Sequence, residues 1–397
     1  MGVPTVGTGT LTLGSAATGY LSFSAAGVQV NDVVTYSISD GTNREVGTGL
    51  YNGTTLTRNV IVSTNSNTPI SLSGSAQISI VEGGDDVLDS FGSQCRLTYA
   101  TGVPVMNIST VTLPVLSSGN VYLTPYVGNL VPIFNGIKWS MEPVISDLVM
   151  NGADTTINPP PAVIGGQLYD FFVWMKNGTL CLTRQQWSGQ FTRSVGLSRL
   201  NGIEVNNAAI TNGPPQYQGT YVGSAFTGAS ANFRWDPTPP AANGGAAIVM
   251  SLWNRYNRIR QIGYAVDNGA AYTYNSNAWR AIRGSGAMYF NFMNGQSIDV
   301  IEAHFWDEIV LGAGGGNTGY NGLGLDATTS QAGHGNAMWK TNYQSTNPCA
   351  YSLVPQFQGL VGIGAHSIYP IEAGSAATPI PQFNAATAQV LFAVFPS

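Results

Sequence analysis

The chain has 397 residues, of which 9% are charged and 43% hydrophobic, and a formal net charge of −5. Ordinary globular domains carry about 25% charged residues, and with only three lysines (Lys138, Lys176 and Lys340) the chain lacks the cationic surface that phosphate backbones require. No apolar run approaches the ~18 residues of a membrane span, so neither nucleic acid nor membrane insertion is expected, while 49 Gly and 21 Pro predict a turn-rich β protein. Period-two apolar alternation predicts short strands at "GTLTLG", "YLSFSA", "VVTYSIS", "TLTRNVIVS" and "AQISIVEG". Asp40-Gly41 and Asn52-Gly53 predict hairpin turns among them, with Arg44 and Arg58 on the solvent face beside those turns. "VEGGDDVLDSFG" (81–92) breaks the pattern and predicts a boundary, so residues 1–88 read as a separate β-module.

Residues 89–165 read as a β connector, with strands at "CRLTYATG", "VYLTPYVGN" and "LVPIFNGIKWSM". The connector ends in a long loop at 151–166, where three consecutive prolines deny ladder pairing. Residues 166–397 read as a larger C-terminal β domain, whose clearest hairpin turns at Asn177-Gly178 with type I′ geometry. The expected fold is therefore all-β: a small N-terminal module, then an antiparallel β-sandwich or jelly-roll-like region with long Gly- and Asn-rich loops. The stretch 246–263 fits either a helix or strands.

Chemistry-bearing residues are sparse. Cys95, Cys181 and Cys349 are dispersed and read as free thiols, neither a disulfide framework nor a zinc site. His304 lies near Glu302, Asp307 and Glu308, but strand alternation places Glu302, His304 and Trp306 on one ordinary face. Gly314, Gly316 and Gly319 match G-x-G-x-x-G, yet no helix-forming stretch follows to receive a pyrophosphate. Adjacent acids such as Asp85 with Asp86, or Asp307 with Glu308, point to opposite faces of a strand. They make no convergent pair for cleaving a glycosidic bond. No catalytic residue, metal site or cofactor is expected.

Two clusters read as binding candidates. In the first, Arg255, Arg258, Arg260, Arg280 and Arg283 interleave with Trp253, Tyr256, Tyr272, Tyr274 and Trp279. Arginine over aromatic rings holds a sugar or an anion, or else packs within the fold; Arg255, Arg258 and Trp279 are the ligand-binding candidates here. In the second, the segment 312–348 reads as a loop carrying Tyr320, His334, Trp339, Lys340 and Tyr343. Loops carry binding on a rigid scaffold, and flat rings bury area at low entropic cost. Packing of these rings onto the sheet is the competing explanation.

The stretch "TYSISDGTNREVGTGLYNGTTLTRNVIVSTNSNTPISLSGSAQISIV" resembles the small β-module of structural proteins from tailed-bacteriophage virions. "VYLTPYVGNLVPIFNGIKW", "YDFFVWMKNGTLCLTR", "LWNRYNRIRQIGYAVDNGAAYTYNSNAWRAI", "GLGLDATTS" and "GLVGIGAHSIYPIEAG" are similar to their larger β part. "WDEIVLGAGGGNTGY" and "NAMWKTNYQSTNPCAY" diverge from that pattern. The resemblance implies a virion structural protein, assembled in the bacterial host cytoplasm, with residues 1–88 as particle anchor and 166–397 as display or receptor-binding part. It implies an oligomeric tail fibre or spike contacting the host surface. A capsid-bound head fibre or decoration protein, and a glycan-depolymerising tailspike, are the alternatives. The expected partners are two further copies in a homotrimer, for which the apolar ending "AQVLFAVFPS" offers surface, other phage tail or capsid proteins, and a host surface glycan or protein.

Overall fold

The computed structural model describes all residues except 31, 82–91, 107–115, 314–315, 334, 343–346, 376–380 and 385–387. The chain divides into two compact units, Met1–Phe91 and Gly92–Ser397. Among the described residues there is no α-helix, only a single 3-10 turn at Ile282–Gly284. The protein is all-β.

In the first unit five antiparallel strands pair in the spatial order Gly2–Val3, Ala76–Ile80, Val33–Asp40, Asn43–Leu50 and Asn59–Ser63. The Asp-Gly signal makes the expected hairpin: Asp40 faces Asn43, and Gly41 supplies a φ of 58°. Inward alternation brings Tyr36, Ile38 and Ile78 onto Leu11, Leu56 and Leu72. Arg58 corrects the sequence reading. Its side chain is 2% exposed and pairs with Glu45, itself fully buried. Glu45 also accepts from Tyr36 Oη at 2.9 Å and from the Ile70 amide at 2.9 Å. Gly47 permits this: a Cβ there would lie 2.5 Å from Tyr36 Oη, so only glycine lets the ring lie across the strand to reach Glu45.

In the second unit a large core joins strands far apart in sequence. An eight-stranded sheet includes Ala247–Met250, Tyr289–Asn294, Gly364–Gly374, Asn317–Leu325 and Met338–Asn342. A second sheet is built on Val300–Leu311, which pairs with Gln389–Pro396, Cys349–Leu353 and Gln356–Leu360. Rings from the two sheets interleave, with Phe290 6.2 Å and Phe292 5.7 Å from Phe395, as sandwich cores require. One pairing departs from the antiparallel expectation: Ala247–Met250 runs parallel to Tyr289–Asn294.

Residues 95–165 contribute Leu97, Val121, Leu123, Val131 and Met150 to the same core as Phe290 and Phe395. The Pro-rich loop is held by Arg184, which is 1% exposed and donates to the carbonyls of Asp154 (3.1 Å), Pro159 (3.2 Å) and Pro161 (2.9 Å). The stretch 246–263 resolves into strands Ala247–Met250, Leu252–Asn254 and the start of Arg260–Asp267. Half of the apolar ending is interior, with Leu391, Ala393 and Phe395 fully buried and Val390, Phe392 and Pro396 partly exposed between and beyond them. Cys95, Cys181 and Cys349 are free thiols, Cys95 buried and the other two half-buried.

Candidate functional site

The segment expected as a loop at 312–348 contains two strands, Asn317–Leu325 and Met338–Asn342. Tyr320 stands on Asn317–Leu325, and Trp339 and Lys340 stand on Met338–Asn342. Glycine content suggested a loop, but these glycines serve close packing. A Cβ on Gly319 would lie 2.8 Å from Ile309, and one on Gly324 would lie 2.2 Å from the Ala327 carbonyl. The same strand answers the G-x-G-x-x-G match, because Gly319 lies inside a strand where a phosphate site needs a helix N-terminus.

Register then assembles the site. Tyr320 lies directly opposite Trp339 on one side and Ala373 on the other, and such partners point to the same face about 5 Å apart. Trp279 approaches from a separate segment and meets Tyr320 edge-on, ring centroids 6.1 Å apart. It also overlies Gly322, where a Cβ would come within 3.4 Å of its ring. Asn277, Trp279, Tyr320 and Ala373 line a depression of about 300 Å³. Trp339 beside it is 59% exposed. Three aromatics from three distant segments thus share one uncharged face.

The opposite face of the same strands is polar and buried. Asn321, Arg280 and Glu372 are each the chain neighbour of a face residue (Tyr320, Trp279 and Ala373), and Asn321 and Arg280 both pair with Glu372 across the sheet. Arg280 binds Glu372 at 2.8 Å and stacks 3.6 Å over Tyr274. Tyr274 in turn donates to the Ala278 carbonyl at 2.8 Å. This clamps the turn that presents Asn277 and Trp279.

The other candidates are placed elsewhere. Arg255 binds Glu204 at 2.8 Å and stacks on Tyr256; Arg258 binds Asp299 and stacks on Trp253. Both brace the fold, and none of their hydrogen bonds or ring contacts reaches the aromatic face. Lys340 has Gly319 as its register partner, on the side opposite Trp339, and its ammonium sits 5.9 Å from the Tyr351 ring. His334 and Tyr343 lie outside the described residues. Asp307 is fully buried and Glu308 faces away from it, so this pair does not converge. Among the described residues no group of three His, Cys, Asp or Glu side chains is arranged to hold a metal. Sequence reasoning missed Asn277 and Ala373, which only the register brings in. It also missed Glu372, whose signal was the one acid in a strand of a charge-poor chain.

Neither a family model nor a curated protein sequence matches this chain. Solved structures show only slight likeness to it. The Cry1Da tryptic core variant of Bacillus thuringiensis has 12% identity over 99% of this chain and 58% of that one, at a TM-score of 0.18. The Cry8Ea1 insecticidal delta-endotoxin of the same organism has 8% identity over 92% and 52%, at 0.18. The infectious bursal disease virus Gx strain structure has 12% identity over 100% and 81%, at 0.13. The chain spans about half the length of the toxin structures it matches. TM-scores this low establish no common layout, and the site is read from its own geometry.

Proposed function

We propose that the chain is a bacteriophage virion component of the tail-fibre or spike kind, which contacts a host surface saccharide through the face of Trp279, Tyr320 and Trp339. The observation that carries this is Trp339, 59% exposed and directly opposite Tyr320 beside an uncharged depression. A large aromatic left in water costs solvation unless a partner covers it, and amide-flanked rings suit the apolar and hydroxyl faces of a neutral sugar. Among the described residues no carboxylate lines the depression, which favours binding without cleavage. In this reading the unit Met1–Phe91 anchors the protein to the particle.

The test is Trp339→Ala in the full-length protein, applied to an array of bacterial surface polysaccharides. A central Trp contact is worth about 2 kcal/mol or more, so binding should fall roughly 30-fold or further. The thermal midpoint should stay near that of the parent, because the ring is mostly exposed. Unchanged binding would remove the face from the mechanism and favour the capsid-bound decoration reading, for which tight association with isolated capsids is the positive sign.

The protein is further proposed to work as a homotrimer. Val127, Ile137 and Ile145, all near the hairpin Leu130–Phe134/Trp139–Pro143, are 67%, 69% and 89% exposed. Apolar side chains grouped this way mark subunit contacts, and several weak sites together supply avidity. Sedimentation of the full chain at micromolar concentration should give three copies. A monomer there would overturn this assembly.

A further inference from the structure

Directly behind the aromatic face lies a buried ionic network with one negative charge too many. Strand Gly364–Gly374 brings Glu372, Val300–Leu311 brings Asp307, and Arg260–Asp267 brings Asp267. All three carboxylates are fully buried. Among the described residues two cations face them: Arg280 on Glu372, and Arg283 on Asp267. Tyr272 donates to Glu372 and packs 4.3 Å beneath the Arg283 guanidinium. The remaining elements packed there contribute only amides. Asn321 Nδ2 donates to Asp307 at 2.8 Å, the Asn384 backbone N–H at 3.0 Å, and Gln389 Nε2 donates to Tyr272 Oη at 3.2 Å. Among the described residues Asp307 therefore has no cationic partner. Two amide oxygens in this network, Asn321 Oδ1 and Gln389 Oε1, have no hydrogen-bond partner among the described residues. They are acceptors that a proton on Asp307 could reach once an amide turns over, because a protonated carboxyl becomes a donor.

We infer that this network takes up one proton, and that the proton, by relieving the excess charge between Asp307 and Glu372, tightens the clamp that holds Trp279 and so raises the affinity of the aromatic face for its saccharide. The inference rests on the binding reading of that face. The route is short: Glu372 grips Arg280, Arg280 is the chain neighbour of Trp279, and Asn321 on Asp307 is the chain neighbour of Tyr320. Burial drives both carboxyls up, Asp307 to about 6 and Glu372 to about 7, with the Asp307 charge adding to the rise at Glu372. Coupled groups titrate as a pair whose steps belong to neither residue alone, and Arg280, 2.8 Å from Glu372, keeps that carboxylate the charged one, so the shared proton sits on Asp307. A carboxyl raised in the folded state binds its proton more tightly there than in the unfolded chain. Stability and clamping are then complete below the ordinary carboxylate range and are lost as pH rises through about 6 to 7.

The experiment compares the full-length protein with Asp307→Asn, which removes the excess charge while keeping shape and a donor. On a polysaccharide from the array that binds the parent, affinity should fall about 5-fold or more from about pH 6 to pH 8.5, a typical coupling factor. D307N should bind equally at both. At about pH 7 the parent's binding heat should vary with the ionisation enthalpy of the buffer, reporting proton uptake, which needs no variant that folds. In the absence of saccharide, the pH-dependent part of the tryptophan emission should vanish in Trp279→Phe. Binding that requires Trp339 but is flat with pH and takes up no proton would sink the coupling alone. If no polysaccharide binds at any pH the binding reading fails instead, and the emission arm decides whether the network moves Trp279: a pH-dependent emission that persists in W279F overturns it.

Discussion

Arg58→Ala is expected to unfold the unit Met1–Phe91 while Gly92–Ser397 melts as in the parent. The guanidinium is 2% exposed and its partner Glu45 is fully buried. Removing one member of a buried ion pair leaves the other charge without compensation, at a cost of about 3–5 kcal/mol. Arg58 also donates to the Ile70 carbonyl at 2.9 Å, so a backbone acceptor is stranded as well. A whole domain is stable by only about 5–15 kcal/mol, and this unit's core rests on a small set of residues around Tyr36, Ile38 and Leu56. The loss is comparable to everything the unit has. Calorimetry of the full chain should show the transition of the first unit gone, and particles should then lack the protein if that unit is the anchor. Exchanging both charges for apolar groups (Glu45→Leu with Arg58→Met) should restore much of the transition, because the cost lies in the unpaired charge and not in the absence of the pair. A transition unchanged in R58A would mean that Glu45 finds water or another donor.

The contrast between Arg58 and Asn177 marks how far this sequence could be read. Asn177-Gly178 is a local signal, and the hairpin Leu168–Lys176/Thr179–Gln186 forms with φ of 49° and 81° at those two residues. Alternation along Val300–Leu311 was legible in the same way: Ile301, Ala303, Phe305, Ile309 and Leu311 all point inward and are fully buried. The all-β class follows from many such local signals. Arg58 was misread because an arginine beside a turn is ordinarily solvated, and nothing local reveals that Glu45 and the Ile70 carbonyl close over it. Within 312–348 the strands Asn317–Leu325 and Met338–Asn342 were read as loop because glycine counts alike for turns and for strands that must approach closely.

The candidate site was half legible for the same physical reason. Trp279, Tyr320 and Trp339 were each notable as aromatics among Asn and Gly, yet their convergence depends on the register of Tyr320 with both Trp339 and Ala373. Register between strands fifty residues apart is set by the whole sheet and leaves no mark in a local window. The arginines show the complementary failure. Each of Arg255, Arg258, Arg260, Arg280 and Arg283 holds a carboxylate of its own, which a sequence without visible pairing cannot disclose. In a chain this poor in charge, most cations near aromatics are already spoken for by the fold, and the aromatic face is made of neutral residues.

Arg193→Ala should lower the midpoint of the second unit more at alkaline than at acidic pH, and that slope separates a lost ion pair from lost packing. Asp170 faces Ser224 across paired strands and is 1% exposed, with Arg193 Nε 2.7 Å from its Oδ2. Ser224 Oγ donates to the other carboxylate oxygen at 2.5 Å. Arg193 in turn donates to Tyr221 Oη and the Gly295 carbonyl, and stacks 4.6 Å over Trp187. Burial alone pushes the Asp170 carboxyl up, and the Arg193 cation is the first influence pulling it back. Without that cation the carboxyl rises further, so the folded state must either hold an unpaired charge or bind a proton that the unfolded chain, near 3.9, does not. At neutral pH the cost should be about 3–5 kcal/mol, or roughly 5–8 °C for a unit of this size. The folded-state carboxyl is raised, so the unfolded chain binds fewer protons and stability falls as pH rises. The gap between R193A and the parent should therefore be widest at alkaline pH and shrink as pH falls and Asp170 takes up its proton. Asp170→Asn combined with R193A should remove that slope and recover part of the midpoint. If instead the gap stays constant with pH, the loss is that of the stacked guanidinium on Trp187, and the charge of Asp170 contributes little to the stability of this core.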